Sequence, residues 1–201
     1  MKVISEKDLD AVSIACEFLR AGKVISFATD TIYGIAVDAS NFKAVEALYK
    51  IKKRDEKKPI AIFVKDLKAA KKIFYFNNLA KKISEKYFPG ALTLVLKTKI
   101  KSASILAKNL NYNADGFLGF RIVDSNFIEK LLEKFDGALA VTSANLSGQK
   151  AATSATEIVK NLTKLDLLIS GKVSKKTPST VLKISNKKIT ILRQGALKID
   201  L

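Results

Sequence analysis

Five cations, Lys52, Lys53, Arg54, Lys57 and Lys58, crowd the run IKKRDEKKPI at residues 51–60, which Pro59 closes. Proline locks its own φ and biases the preceding residue toward extended backbone, so these charges sit on a short, constrained connection. Such a patch suits an anionic ligand, and a polyphosphate above all. Taken alone, the loop reads more simply as a solvated lysine-rich turn.

Two further stretches carry hydroxyls and amides where a polar ligand could use them. TDTIYG at 29–34 places Thr29 and Thr31 around Asp30 and follows them with Tyr33. TSANLSG at 142–148 is dense in side-chain and backbone donors, with Asn145 set between Ser143 and Ser147. A loop of this kind can wrap an oxyanion or phosphate, and each stretch alone also fits an ordinary turn. The chain has no histidine, which excludes a Ser-His-Asp triad, a histidine base and histidine metal ligands. Catalysis is left to lysine, arginine, carboxylates, hydroxyls, backbone amides, or a metal that enters with the substrate.

Of 36 basic residues only Arg20, Arg54, Arg121 and Arg193 are arginine. Lysine serves wherever charge alone is wanted. A planar guanidinium is needed where two oxygens are gripped together, so the surviving arginines are informative. Arg20 precedes Gly22 at a predicted helix end, where it complements the helix dipole. The other three fall at or near predicted strand ends.

The elements that must position these residues alternate along the chain. Ser5, with Asp8 three residues on, predicts a helix from about 5 to 21 stopped by Gly22. Strands are expected at 24–28, 35–37, 60–64, 91–96, 117–123, 138–141 and 165–169. Helices are expected at 41–50, after Asp66, from Asn78 to the Pro89-Gly90 break, from Ser125 to Gly137, and from a Ser154/Glu157 capping box to about Leu162. Residues 97–113 read as a polar, lysine-rich, mobile excursion with one helical turn. Residues 180–184 and 189–193 read as a closing hairpin. Strands alternating with helices predict an α/β fold with a twisted, mixed β-sheet flanked by helices. Neither a P-loop nor a GxGxxG pattern is present.

The length of 201 residues suits one domain, 1–201, with a sizeable core. No apolar run approaches the roughly 20 residues that cross a bilayer, and acids stand where a signal peptide would be apolar, so a cytoplasmic protein with no membrane partner is expected. Cys16 is alone and reads as a core thiol. A net charge of +17 would draw nucleotides or nucleic acid.

In this order, TDTIYG, IKKRDEKKPI, FPGALTLVL, GFRIV, TSANLSG, PSTVLKI and ILRQG resemble the YrdC family, over about residues 24–196. Lys52-x-Arg54 followed by Ser143-x-Asn145 matches that family's signature. The resemblance implies a YrdC-like fold and threonylcarbamoyl-AMP synthase activity: L-threonine, bicarbonate and ATP, with Mg2+, give threonylcarbamoyl-adenylate and pyrophosphate for threonylcarbamoyladenosine modification of tRNA. By motif match it implies that Lys52 and Arg54 are catalytic and contact phosphate and carbonate. Thr29, Thr31, Tyr33, Lys58, Arg121 and Ser179 fall on the threonine and bicarbonate side, with Arg121 clamping the threonine carboxylate. Ser143, Asn145 and Arg193 fall on the nucleotide side. The resemblance further implies a short, single-domain type that leaves the transfer step to separate proteins of the tRNA threonylcarbamoyl-transfer machinery. The alternative, motivated by charge, is a double-stranded RNA or tRNA-binding module without adenylate synthesis.

The chain departs from the family's usual pattern at Lys53, Asp55, Phe117, Val123, Thr142, Lys176-Thr177 and Gln194. Phe117 stands where a hydroxyl is common on the ATP side.

Overall fold

The computed structural model describes residues 1–99, 105–110, 116–186 and 188–200. Among these residues ten strands form one sheet: β1 Lys2–Ser5, β2 Ile25–Ala28, β3 Tyr33–Asp38, β4 Ala61–Phe63, β5 Leu92–Lys97, β6 Phe117–Arg121, β7 Leu139–Ser143, β8 Leu167–Ser170, β9 Thr180–Ser185 and β10 Lys188–Arg193. Their order across the sheet is β1-β8-β2-β3-β7-β4-β6-β5-β9-β10. The pairs β1/β8, β2/β8, β4/β6 and β5/β9 are parallel and the remaining five are antiparallel, so the sheet is mixed as expected.

Six helices flank it among the described residues: α1 Ala11–Arg20, α2 Phe42–Lys52, α3 Leu67–Ile73, α4 Asn78–Tyr87, α5 Asn126–Phe135 and α6 Ala155–Asn161. Their starts follow local capping chemistry. Asn41, Asp66, Asn77, Ser125 and Ser154 each accept a backbone N–H from the first turn of the helix that follows.

The helices divide unequally between the faces. Side chains of α2, α3, α4 and α6 share one apolar cluster with Ile35, Ile62, Leu94, Phe120, Ala140 and Leu182, which spans most of the sheet. Those of α1 and α5 form a second cluster with Ile25, Phe27, Phe63, Leu139, Val141, Leu167 and Ile169, which lie on β2, β4, β7 and β8. On β5, β6 and β9 the buried residues alternate: Leu92, Leu94 and Leu96; Leu118 and Phe120; Leu182 and Ile184 join the first cluster. The residues between them, including Thr93, Val95, Phe117, Gly119, Arg121, Val181 and Lys183, face the other way, onto a cleft that no helix fills.

Two expectations are corrected. Residues 2–5 are not the approach to a helix: Lys2–Ser5 pair in parallel with β8, and α1 begins only at Ala11. The Ser5/Asp8 signal is real, since the Ser5 N–H donates to Asp8 Oδ2 at 2.9 Å, but it closes a turn after an edge strand. The open backbone of β8 supplies the partners that a propensity argument cannot see. The 97–113 excursion, in its described part, is anchored: Leu106, Ala107 and Leu110 are buried, and the Ala107 N–H donates to Ala39 O at 2.8 Å. Residues 100–104 and 111–115 of that stretch lie outside the described residues.

Candidate active site

The uncovered sheet face forms the floor of a cleft of about 500 Å³. Strand register sets that floor. Val95 lies opposite Gly119 and Lys183, and Val181 lies opposite Thr93 and Arg193. A Cβ on Gly119 would stand 3.2 Å from Thr93 Cγ2 and 3.3 Å from Ala61 Cβ, so glycine keeps the floor flat where a ligand would lie.

The 29–32 turn between β2 and β3 forms one wall. Thr29 Oγ1 accepts the N–H groups of Thr31 at 3.1 Å and Ile32 at 3.2 Å, and the Thr29 hydroxyl donates to Ile32 O at 2.7 Å. This closes a tight hydroxyl turn that holds Thr31 Oγ1 toward β6. There Arg121 Nη1 donates to it at 2.8 Å, Arg121 Nε donates to Gly90 O at 2.9 Å, and Arg121 Nη2 bonds Asp30 Oδ1. Burial pulls the Arg121 guanidinium below its ordinary value, while Asp30 beside it acts the other way. Burial pushes the Asp30 carboxyl up, opposed chiefly by Arg121. Tyr33 lines the cleft, and its hydroxyl is engaged by Gly171, donating to the carbonyl at 2.8 Å and accepting the N–H at 3.0 Å.

The opposite wall comes from β9, β10 and the turn before them. Arg193 donates from Nε at 3.1 Å and from Nη2 at 2.8 Å to Ser179 O, while the Ser179 hydroxyl meets Thr93 Oγ1 at 2.8 Å. Arg54 enters from the cation loop, its fork anchored on the carbonyls of Lys58 at 3.4 Å and Pro59 at 3.0 Å. At the far end the Lys183 ammonium lies 4.0 Å from the centroid of the Phe117 ring.

Of the residues singled out from the sequence, Thr29, Thr31, Tyr33, Arg54, Arg121, Ser143, Ser179 and Arg193 line this one cleft. Lys52, Lys58 and Asn145 do not. Lys58 is exposed on the loop. Lys52 belongs to the last turn of α2 and is 1% exposed. Its ammonium donates to Ser143 O, to Asn145 Oδ1 at 3.0 Å and to Ser143 Oγ at 3.4 Å. The Asn145 amide donates to Leu146 O and Gln149 O, and the Ser147 N–H donates to Lys52 O. Lys52 therefore stands behind the 143–149 loop and holds it by side chain and backbone alike. Burial, with the Arg54 charge adding to it, pulls its pKa down to about 7.

Sequence reasoning missed Thr93, Val95, Gly119 and Lys183 as cleft residues. The signal was clearest in LTLVLK, where leucines alternate with Thr93, Val95 and Lys97, and weaker in FLGFR and TVLKIS, where Leu118 and Phe120 flank Gly119 and Leu182 and Ile184 flank Lys183. Among the described residues, no group of three or more Asp, Glu, Cys or His could hold a metal ion. The cleft's donors are cations and hydroxyls, a set that fits the anion rather than a resident divalent cation.

The half-covered mixed sheet, with arginines and hydroxyls converging on its open face, defines an α/β protein with a basic, hydroxyl-lined cleft. The chain belongs to the Sua5/YciO/YrdC family, whose model, described as "Telomere recombination", matches residues 17–195. A Methanocaldococcus jannaschii protein, provisionally named a threonylcarbamoyl-AMP synthase, is 41% identical over 190 residues, covering 92% of this chain and 87% of that one. The mouse threonylcarbamoyl-AMP synthase is 34% identical over 165 residues, covering 81% of this chain and 56% of its own. Sua5 of Pyrococcus abyssi, solved in complex with L-threonine, superposes with a TM-score of 0.87 at 25% identity, over 96% of this chain and 57% of that one. The chain thus spans most of the first relative but little more than half of the other two.

Proposed function

We propose that this chain is a threonylcarbamoyl-AMP synthase, forming threonylcarbamoyl-adenylate and pyrophosphate from L-threonine, bicarbonate and ATP. The observation that carries the reading is that Arg54, Arg121 and Arg193, far apart in sequence, open on one cleft together with Thr31, Ser143 and Ser179. Relatives named for this activity and a threonine-bound neighbour support it.

The reaction has to bring two anions into contact. Threonine's amine condenses with bicarbonate, losing water, to give a carbamate. A carbamate oxygen then attacks the α-phosphorus of ATP, and pyrophosphate leaves with the electron pair of the broken P–O bond. Arg54 and Arg193 supply fixed positive charge beside the phosphates, where it screens their repulsion and stabilises charge that builds in the transition state. Arg121 has five N–H groups, of which the protein occupies three, leaving two for a carboxylate. The 143–149 loop, braced by Lys52 and by the Ser143 hydroxyl donating to Asn145 Oδ1 at 2.6 Å, forms the nucleotide side of the cleft. Mg2+ belongs to this scheme as part of the nucleotide substrate, carried on the triphosphate. The described residues include no helix long and apolar enough to cross a membrane. The proposal places the reaction in the cytoplasm and hands the adenylate to separate tRNA-modifying proteins. Net charge alone motivates the RNA-binding alternative, whereas these arginines are spent on the cleft.

Pyrophosphate release measured with ATP, bicarbonate and L-threonine tests the reading. Release is expected only when all three are present, and release indifferent to threonine would overturn it. Arg54→Ala should lower turnover by at least an order of magnitude, as loss of a fixed electrostatic contact does.

A further inference from the structure

We propose that Asp30 is a positioning residue: it fixes the orientation of the Arg121 guanidinium so that its two remaining N–H groups meet the carboxylate of the amino-acid substrate. This rests on the reading that Arg121 receives that carboxylate.

Arg121 sits deep in the cleft wall. Its side chain and that of Asp30 are each only 4% exposed. A guanidinium so placed can rotate toward any carbonyl within reach unless its edges are assigned. Here they are: Nε to Gly90 O, Nη1 to Thr31 Oγ1 and Nη2 to Asp30 Oδ1. The first two partners are neutral, and only Asp30 supplies the counter-charge. The groups acting on the pair from neighbouring elements are Lys175 and Asp124 around Asp30, and Arg193 and Asp124 around Arg121. None of them bonds the guanidinium.

Asp30 is itself held from the other side. Its carbonyl accepts the Ser174 hydroxyl at 2.9 Å and the Lys175 N–H at 3.1 Å. The 173–177 segment thereby pins the backbone from which the carboxylate reaches Arg121. The second carboxylate oxygen, Oδ2, is buried and has no hydrogen-bond partner among the described residues. Among the described residues the carboxylate's one bond, from Oδ1, points at Arg121.

Asp30→Asn keeps the shape and an acceptor but removes the charge. In the pyrophosphate assay the KM for L-threonine is expected to rise at least tenfold, with the KM for ATP changed by less than twofold. A purely structural role would move both constants together, or lower kcat alone, and either result overturns the proposal. So does an unchanged or lower KM for threonine, since a lower value would make Asp30 a competitor of the substrate rather than its guide. If Asp30→Asn does not fold, Ser174→Ala loosens the backbone that carries the same carboxylate and leaves Arg121 its counter-charge. It is expected to raise the threonine KM twofold to fivefold with the same selectivity, and no selective rise overturns the proposal. Arg121→Lys separates the two claims. If it leaves the threonine KM unchanged, the carboxylate reading of Arg121 itself fails. If it raises that KM while the Asp30 and Ser174 variants do not, only the positioning role of Asp30 is lost.

Discussion

Lys52→Met should change the pH dependence of stability in a way that can be worked out from the buried ammonium. Methionine matches the aliphatic stem and removes the charge. Lys52 is 1% exposed, and its pKa falls to about 7 in the folded protein, against an ordinary 10.5. Below pH 7 the folded and unfolded chains both hold the proton, and the folded state carries the full cost of burying it. Between pH 7 and about 10.5 the unfolded chain keeps the proton and the folded chain gives it up, so stability rises with pH across that window and falls as pH drops back through 7. At about 1.4 kcal/mol per pKa unit, a shift of roughly 3.5 units makes the full change on the order of 5 kcal/mol. Urea denaturation of wild type and Lys52→Met at pH 6.5 and 9.5 captures most of that window, and other titrating groups cancel in the difference. Wild type should gain on the variant by about 3 kcal/mol between those two pH values. A difference that stays constant with pH would refute the placement of Lys52 as a buried, titrating brace. In the pyrophosphate assay the same variant should lose about tenfold to a hundredfold in turnover, because Ser143 and Asn145 lose the donor that fixes their loop.

Other perturbations probe the cleft and the two layers. Gly119→Val would push a branched side chain into the space bounded by Thr93 and Ala61; substrate KM values should rise more than tenfold while thermal unfolding shifts by only a few degrees. Leu131→Ala empties a fully buried position in the α1/α5 layer and should cost about 2–5 kcal/mol in denaturant unfolding, with KM values unchanged. Ser179→Ala removes the hydroxyl shared with Thr93 and the acceptor beside Arg193, and should weaken substrate binding severalfold in isothermal titration without loss of fold.

Much of this architecture was legible because it is written locally. Asp66, Ser125 and Ser154 announce their helices by capping chemistry, and the Gly22 stop follows from its φ of +70°, which a side chain would disfavour. The scarcity of arginine pointed to Arg54, Arg121 and Arg193 before any coordinates, and these three do share the cleft. What escaped is long-range. The edge strand β1 exists because β8 offers it a partner some 165 residues downstream, as in the pairing of Lys2 with Leu167. The burial of Lys52 escaped for a related reason: α2 runs to Lys52 itself, so its side chain projects from a helix onto the 143–149 loop rather than from a solvated turn. Thr93 and Gly119 lie inside FPGALTLVL and GFRIV, but nothing in those runs marks them as cleft residues until register aligns β5, β6 and β9 below a layer that two helices leave half covered.

The contrast between Lys52 and Arg121 explains why a lysine-rich chain keeps arginine where it does. Both lie in the interior and both are pulled down by desolvation. For an ammonium that shift reaches the neutral range, so a buried lysine can act as a brace but is a poor permanent cation near pH 7. A guanidinium starts so high that the same environment leaves it charged. Under the proposed function the site holds a carboxylate beside a triphosphate, which needs cations whose charge survives burial and whose N–H groups point in fixed directions. The Asp30–Arg121 pair meets both needs at once: the carboxylate offsets the buried charge, and its geometry decides which N–H groups face the substrate.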